Sequence, residues 1–278
     1  MRRRIAGLIV GCSCIAIAAP AIAAPAFAAV AAYTKDVKVH RFAKGSVTAR
    51  CPTGEHVSFG GIVAQFEPPR GAKYILPAGV RRTADDQLTV YGFNNSRDAE
   101  GHLTAVAYCD HGNVPAAVER TTTSGEGAAS VIVSCPVGTV LVGGGFDGHP
   151  APRHHDLIDS LERVSSRQWR ATITTLTAEQ STLTAIAYCA PGVTPKVYST
   201  TVKVAGHTGG TARANCPAHT SLVFGGLVAQ KTGYPYQAPH TAQVEAFSWT
   251  APSRTQWVVT AFNVGSRTGD LTALAYCR

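Results

Sequence analysis

The sequence predicts an all-β protein made of three homologous units, each closed by one disulfide. Two observations carry this prediction. The segment Leu-Thr-Ala-x-Ala-Tyr-Cys occurs three times, ending at Cys109, Cys189 and Cys277. Between its copies lie runs of roughly four to eight residues that are rich in Val, Thr, Ile and aromatic residues and are bounded by Gly, Pro and Asn, as strands are. Helical spacing of apolar residues is not sustained, and 157–164 is the one segment that could pass briefly for a helix.

Three further positions repeat in register with this segment, so the whole unit is triplicated. A Cys-Pro pair opens each unit, a Gly pair follows it, and a Gln precedes an apolar run. The opening cysteines are Cys51, Cys135 and Cys216; the Gly pairs are Gly60–Gly61, Gly144–Gly145 and Gly225–Gly226; the glutamines are Gln87, Gln168 and Gln256. We expect a single β domain over 29–278, with units at about 33–109, 110–189 and 190–277.

The repeated positions each indicate a structural role. In the closing segment both alternating faces are mainly apolar, so this strand should be buried on both sides. The Gly pair is typical of a bulge or of a close backbone approach, where a Cβ would clash. Trp169 and Trp257 follow the repeated Gln and should pack in the core, whereas Trp249 has no counterpart that places it.

The six cysteines beyond the N-terminal segment favour disulfides in an exported chain. Equivalence of the three units leaves few pairings, and among them we choose the one within each unit, namely Cys51–Cys109, Cys135–Cys189 and Cys216–Cys277. The rival that also respects the repeat joins each closing cysteine to the opening cysteine of the next unit, as in Cys109–Cys135. No Cys-x-x-Cys spacing occurs, which disfavours a zinc site.

Residues 1–28 have the pattern of a secretory signal peptide. Three arginines at 2–4 precede an uncharged stretch, and small-x-small sites end at Ala23 and Ala28, of which we favour Ala28 for cleavage. A transmembrane anchor is the alternative, which two prolines in the segment disfavour. After signal removal we expect no transmembrane segment and an extracellular protein.

The charge balance bears on the class of partner. Removing the three arginines of 2–4 from the 25 basic residues leaves 22 against 17 acidic ones, a net charge of +5. These charges are spread along the chain, whereas nucleic-acid binding needs Lys and Arg clustered on one face. We therefore expect no nucleic-acid partner.

The unit Cys-Pro-x-Gly…Gly-Gly…Trp…Leu-Thr-Ala-x-Ala-x-Cys resembles repeats of secreted actinobacterial proteins over nearly all of residues 33–278. The three-unit arrangement is also similar to the vitelline membrane outer layer protein I family. That resemblance implies a β-prism, with three antiparallel sheets around a pseudo-three-fold axis, and an association with carbohydrate or extracellular matrix. His219 departs from the pattern, since it stands where the other two units have Gly, and its turn could differ. No binding residues are carried over.

Two groups of residues are candidates for a binding site. Imidazole and carboxylate groups cluster in the second unit and could hold a divalent metal ion, although a solvated loop is the alternative; they are Asp147, His149, His154, His155 and Asp156. Aromatic rings with nearby amides could contact a glycan, although ordinary loop packing is the alternative; these residues are Tyr74, Tyr234, Tyr236, Asn94 and Gln237.

The sequence disfavours an enzyme, because it carries no Gly-x-Ser-x-Gly, His-Glu-x-x-His or Gly-x-x-x-x-Gly-Lys motif. We expect no cofactor and assign no catalytic residue. The expected function is that of an extracellular or cell-surface binding or structural module with a glycan, of the cell wall or the extracellular space, as its ligand. The alternatives are a secreted hydrolase or transferase that acts on glycans through carboxylates of different units, and a protein-interaction or inhibitory module.

Overall fold

The computed structural model describes residues 31–67, 75–96, 98–124, 127–149, 156–175, 180–232 and 241–278. Every regular element in these residues is a β-strand, which confirms the all-β prediction. The first unit contains β1 (Ala31–Val39), β2 (Lys44–Arg50), β3 (His56–Ala64), β4 (Ile75–Ala84), β5 (Gln87–Asn94) and β6 (Gly101–Asp110). The second contains β7 (Ala116–Ser124), β8 (Gly127–Ser134), β9 (Val140–His149), β10 (Asp156–Ser165), β11 (Gln168–Thr175) and β12 (Ser181–Ala190). The third contains β13 (Lys196–Val204), β14 (Gly209–Asn215), β15 (Leu222–Ala229), β16 (Lys231–Thr232), β17 (Ala242–Ser253), β18 (Gln256–Asn263) and β19 (Gly269–Cys277).

The strands form three antiparallel sheets, and each sheet combines halves of two units. Sheet I has the order β1-β6-β3-β17-β18-β14, with the short β16 beside β17; sheet II is β2-β5-β4-β9-β12-β7; sheet III is β13-β19-β15-β10-β11-β8. With the short β16 left out of the count, the first, third and sixth strands of a unit lie in one sheet, and its second, fourth and fifth strands lie in another. The units interlock cyclically, and the central strands β3, β9 and β15 contact one another at the pseudo-three-fold axis.

Alternation of buried and outward-facing side chains explains most strands. In β11, Trp169, Ala171 and Ile173 point into the core while the residues between them are only half-buried. The segment 157–164 also lies in a strand, β10, and not in a helix. A register shift between Ile158 and Ser160 interrupts the alternation there, so the apolar positions acquire a spacing that resembles a helical one.

The first glycine of each pair makes room for the large side chain of its own unit. An added Cβ at Gly144 or Gly225 would collide with the ring of Trp169 or Trp257. Both indoles are buried, and their N–H groups donate to the carbonyls of Gly145 and Gly226 at 3.0 Å. This confirms the core role of the two tryptophans.

The second glycine lies where two units join. A Cβ at Gly145 would lie 2.5 Å from the carbonyl oxygen of Val80 in the first unit, and one at Gly61 would lie 2.6 Å from that of Trp249 in the third. The repeated pair therefore marks a close backbone approach, whereas the bulge of β3 lies earlier, between Val57 and Phe59. Trp249 itself is buried at this junction.

The tyrosine of each closing segment also bridges two units. The hydroxyl groups of Tyr108, Tyr188 and Tyr276 accept backbone N–H groups at 2.5, 2.7 and 2.9 Å; the donors are Ala251, Arg82 and Arg163, respectively. Two of these donors also place their guanidinium groups over the tyrosine rings, 4.9 Å and 4.8 Å from the ring centroids. Because all three rings are buried, these bonds tie the sheet halves together.

The disulfides join the cysteines within each unit, as predicted, and the rival pairing is wrong. Cys51–Cys109, Cys135–Cys189 and Cys216–Cys277 have Cα–Cα distances of 5.7, 5.6 and 5.7 Å. All six cysteines lie near one end of the prism, which we call the disulfide end; the closing strands β6, β12 and β19 finish there. Strands β3, β9 and β15 finish at the other end, which we call the loop end.

Among the described residues there is no helix with the length and apolar character needed to cross a membrane.

Candidate functional site

A pocket of about 560 Å³ opens at the disulfide end. All three units contribute to it, through the starts of β3 and β15, through β9, and through the segments that follow the closing cysteines. Its charged or titratable lining residues are His56, Asp110, His111, His219, Arg254 and Arg278. A concave site of this volume is in the range of pockets that bind small molecules or oligosaccharide ends.

These polar groups occur where the three units differ. The residue after the closing cysteine is Asp110 in the first unit, Ala190 in the second and Arg278 in the third. The second residue before the repeated Gln is Arg254 in the third unit, where the first unit has Asp85. The scaffold is therefore repeated, while its charges differ from unit to unit.

Among the charged or titratable lining residues His56 is the buried one, with 8% of its surface exposed. It begins β3 opposite Asp110 in the ladder with β6. Burial lowers the pKa of His56; the carboxylates of Asp110 and Asp85 act in the opposite direction, while Arg82 and His111 reinforce the decrease. The neutral imidazole is therefore favoured at neutral pH.

His111 and Asp110 form a hydrogen-bonded rim on the first-unit side. The Asp110 carboxylate accepts the backbone N–H of His111 at 2.8 Å, and the His111 ring lies 3.2 Å from the carbonyl oxygen of Gly54. The ring also lies 3.7 Å from Glu55. These contacts orient the exposed imidazole.

His219 adopts the left-handed backbone conformation, with φ of 63°. Gly54 and Gly138 hold the equivalent positions with φ of 88° and 85°. Thr220 donates its N–H to the carbonyl of Pro217 at 3.2 Å, as Thr139 does to its counterpart, so the turn persists without glycine. A side chain in this conformation has an energetic cost, which glycine avoids.

The backbone of Arg254 and of Arg278 is hydrogen-bonded to one short segment, Ser221–Leu222. Ser221 and Arg278 exchange two backbone hydrogen bonds of 2.8 and 2.9 Å, and the next residue, Leu222, donates to the carbonyl of Arg254 at 2.6 Å. Both guanidinium-bearing residues therefore flank Ser221–Leu222 on the third-unit wall. These bonds fix the backbone from which the two side chains start; the Nε and Nη2 atoms of Arg254 are buried.

Of the predicted glycan-binding residues the structure describes Asn94, which does not line this pocket. Asn94 is fully buried; its amide donates to the carbonyls of Val39 and Ala99 at 2.9 and 3.0 Å, and its oxygen accepts the N–H of Ser96. This corrects its assignment as a ligand contact, because no surface of Asn94 is left for a ligand. The other four residues lie outside the described part of the chain: Tyr74, Tyr234, Tyr236 and Gln237.

Of the predicted metal ligands, Asp147, His149 and Asp156 belong to described strands, and their backbone positions are at the loop end. Asp147 is buried and forms an ion pair with Arg81 at 2.9 Å, and Arg81 also contacts Glu119 at 2.8 Å. Asp147 therefore takes part in an ion pair between the first and second units. His149 ends β9 and Asp156 begins β10, but their side chains, and residues His154 and His155 altogether, lie outside the described part. Within the described ranges no three His, Cys, Asp or Glu side chains form a group suited to a metal ion.

Sequence reasoning missed the pocket because its residues come from distant parts of the chain. The available signal was the comparison of the three units with one another, which shows that the charge differs from unit to unit at the positions of Asp110, Arg254 and Arg278. His219 was noticed only as a departure from the turn pattern.

No protein-family model matches the chain, and no curated protein matches it.

Proposed function

We propose that the protein is exported and acts as a non-enzymatic binding module that holds a glycan in the disulfide-end pocket. The observation that carries the proposal is that the polar residues of this pocket differ between the three units, although the scaffold that holds them is repeated. A purely structural scaffold gives no reason for two arginines and three histidines to gather at one mouth of the prism.

Export is supported by the signal-like residues 1–28 and by the three disulfides. Disulfides persist in oxidising compartments and are rare in the cytosol. Each one closes a long loop, which stabilises the folded state in the chain-entropy account.

The composition of the pocket suits a saccharide. Pro115, Pro191 and Val142 supply apolar walls for the C–H faces of a sugar ring. Asn113 and Ser221 add groups that can exchange hydrogen bonds with hydroxyls. Among the described lining residues Asp110 has the sole side-chain carboxylate, whereas glycoside cleavage ordinarily uses a pair of such side chains, so binding is favoured over hydrolysis.

A blocked pocket tests the proposal. Asn113→Trp places a large ring on an exposed lining residue, and Val193→Trp is the matched control, because Val193 follows its closing cysteine by the same interval and does not line the pocket. On a glycan array and in a cell-wall pull-down, wild type and Val193→Trp should bind, while Asn113→Trp should not.

Absence of glycan binding by the wild type would refute the proposal, as would undiminished binding by Asn113→Trp. Release of reducing ends from the bound glycan would support the hydrolase alternative instead.

A further inference from the structure

We infer that His56 is the ligand-contacting residue of the disulfide-end pocket, that its neutral imidazole binds a hydroxyl group of an uncharged glycan, and that acid releases this ligand. The inference rests on the proposed function and specifies the chemical class of the ligand and the regulation of its binding. It follows from the burial of His56, from its lack of a hydrogen-bond partner and from its place in the repeat.

The imidazole of His56 is buried without a hydrogen-bond partner from the described part of the protein. The residue lines the pocket and is 8% exposed, and the groups that act on its ring do so through charge and not through a hydrogen bond. His111, by contrast, lies 3.2 Å from the carbonyl oxygen of Gly54. Buried polar groups in proteins are ordinarily hydrogen-bonded. Whatever satisfies the ring nitrogens of His56 therefore enters through the pocket.

The scaffold does not require a histidine at this position. Five residues after the opening cysteine the three units have histidine, valine and serine, and each of these residues lies opposite the residue that follows the closing cysteine of its own unit. The three pairs are His56–Asp110, Val140–Ala190 and Ser221–Arg278. Because the same ladder forms with valine, the buried imidazole is not explained by the fold, and departures of this kind are expected at functional sites.

The hydrogen-bonding capacity of His56 matches a hydroxyl group. A neutral imidazole has one N–H donor and one acceptor nitrogen. A sugar hydroxyl also donates and accepts, whereas a carboxylate only accepts and an ammonium group only donates. The side chains of Asn113 and Ser221 line the same pocket and can bond further hydroxyls.

Charges of both signs surround the imidazole. On the first-unit side the groups that act on it are Asp110, Arg82, Asp85 and His111, and Glu55 precedes it in the chain. The third unit adds His219, Arg254 and Arg278, and Arg278 also carries the carboxyl group of residue 278. A ligand with a net charge of either sign therefore meets groups of like charge, so an uncharged glycan is favoured.

Protonation of His56 opposes binding of such a ligand. Burial lowers the pKa of His56, so the free pocket holds the neutral form at neutral pH. An imidazolium ion has two donors and no acceptor, and a bound ligand removes it further from water. The affinity is therefore full above the pKa of His56 and decreases as the pH falls through it.

Isothermal titration calorimetry at pH values of about 7.5 and about 5, on either side of the ordinary histidine pKa, tests the inference. The probes are three uncharged tetrasaccharides: N-acetylchitotetraose, cellotetraose and mannotetraose. We expect at least one of them to bind at the higher pH and to lose about tenfold in affinity at the lower pH, since linkage removes up to about tenfold for each pH unit below the pKa.

His56→Gln separates the role of the side chain from that of its charge. Glutamine keeps a donor and an acceptor but does not titrate, so this variant should bind with the same affinity at both pH values. His56→Val introduces the residue type of the second unit and should weaken binding about tenfold at the higher pH. His111→Gln is the control, because His111 is an exposed imidazole of the same pocket, and it should keep the pH dependence of the wild type. The melting temperature of each variant establishes that it is folded.

PH-independent binding by the wild type would overturn the inference, as would a pH dependence that persists in His56→Gln or disappears in His111→Gln. If the three tetrasaccharides do not bind although a charged glycan binds on the array, the inference fails and the proposed function stands. If the array shows no bound glycan, both fail.

Discussion

Replacing Tyr188 with Phe isolates one hydrogen bond between two units. The hydroxyl accepts the backbone N–H of Arg82 at 2.7 Å inside the protein, and burial raises the pKa of Tyr188, which keeps it neutral. The variant keeps the ring beneath the Arg82 guanidinium but leaves that N–H without its acceptor. An unsatisfied buried donor costs about 1–3 kcal/mol.

The expected change in melting temperature follows from that range. For a chain of this size 1 kcal/mol shifts the melting temperature by roughly 2–4 °C, so a loss of about 2 kcal/mol gives a decrease of roughly 4–8 °C. Urea unfolding at neutral pH with the disulfides intact measures the free energy directly. Tyr33→Phe is the control, because Tyr33 is only half-buried and lies on the edge strand β1.

A loss below about 0.5 kcal/mol, the range of an ordinary surface substitution, would refute this role of the tyrosine. The same conclusion would follow if Tyr188→Phe and Tyr33→Phe were equally stable.

Three other perturbations probe the same interlocked scaffold. Burial raises the pKa of Tyr108 and of Tyr276 to about 12, above the unfolded value of about 10, so their stabilising contribution is complete below pH 10 and is lost as the pH rises toward 12. In a pH titration followed by phenolate absorbance, these two rings should therefore ionise only when the protein unfolds. Gly145→Ala should cost about 3 kcal/mol in urea unfolding, because its Cβ would press on the carbonyl of Val80. His219→Gly should raise stability by up to about 1 kcal/mol, because it relieves the left-handed backbone.

Each of these has a result that contradicts it. Ionisation of all described tyrosines near pH 10 without loss of fold would contradict the burial of the bridging rings. Gly209→Ala is the control for the glycine variant, since its nearest neighbour would be an ordinary 3.8 Å contact; equal stability of the two variants would contradict the close approach of the units. A less stable His219→Gly would contradict the presence of backbone strain.

Repetition made several features predictable. Once the three units were aligned, equivalence reduced the disulfide pairing to two schemes, and the structure has the within-unit one. Alternating apolar residues indicated strands, and the repeated tryptophans indicated core packing. These inferences succeed because alternation and repetition are local properties that the chain expresses in its own order.

The sheets were not predictable in the same way. A period of two residues shows which side chains face inward, but not which strand lies alongside, since partners such as β3 and β17 are far apart in the chain. The interlocking of units, and with it the second role of the Gly pair, therefore appeared only in the structure. The helix-like spacing of 157–164 has a related cause, because a register shift is a property of the strand pair and not of the single strand.

The candidate site shows the same division. The side-chain amide of Asn94 is a group suited to ligand binding, but Asn94 is buried and its amide donates to backbone carbonyls instead. By contrast, His56 and Arg278 lie 222 positions apart and share one pocket. No local pattern joins them.

By itself the sequence determined that the chain is a triplicated, disulfide-closed β protein, because strand propensity, alternation and repeated cysteines act over a few residues or recur from unit to unit. Only the tertiary structure decided that neighbouring units share their sheets and that the charges differing between units meet at the disulfide end. Both outcomes depend on which distant segments come into contact, and those contacts are determined by the close packing of side chains from all three units around the axis.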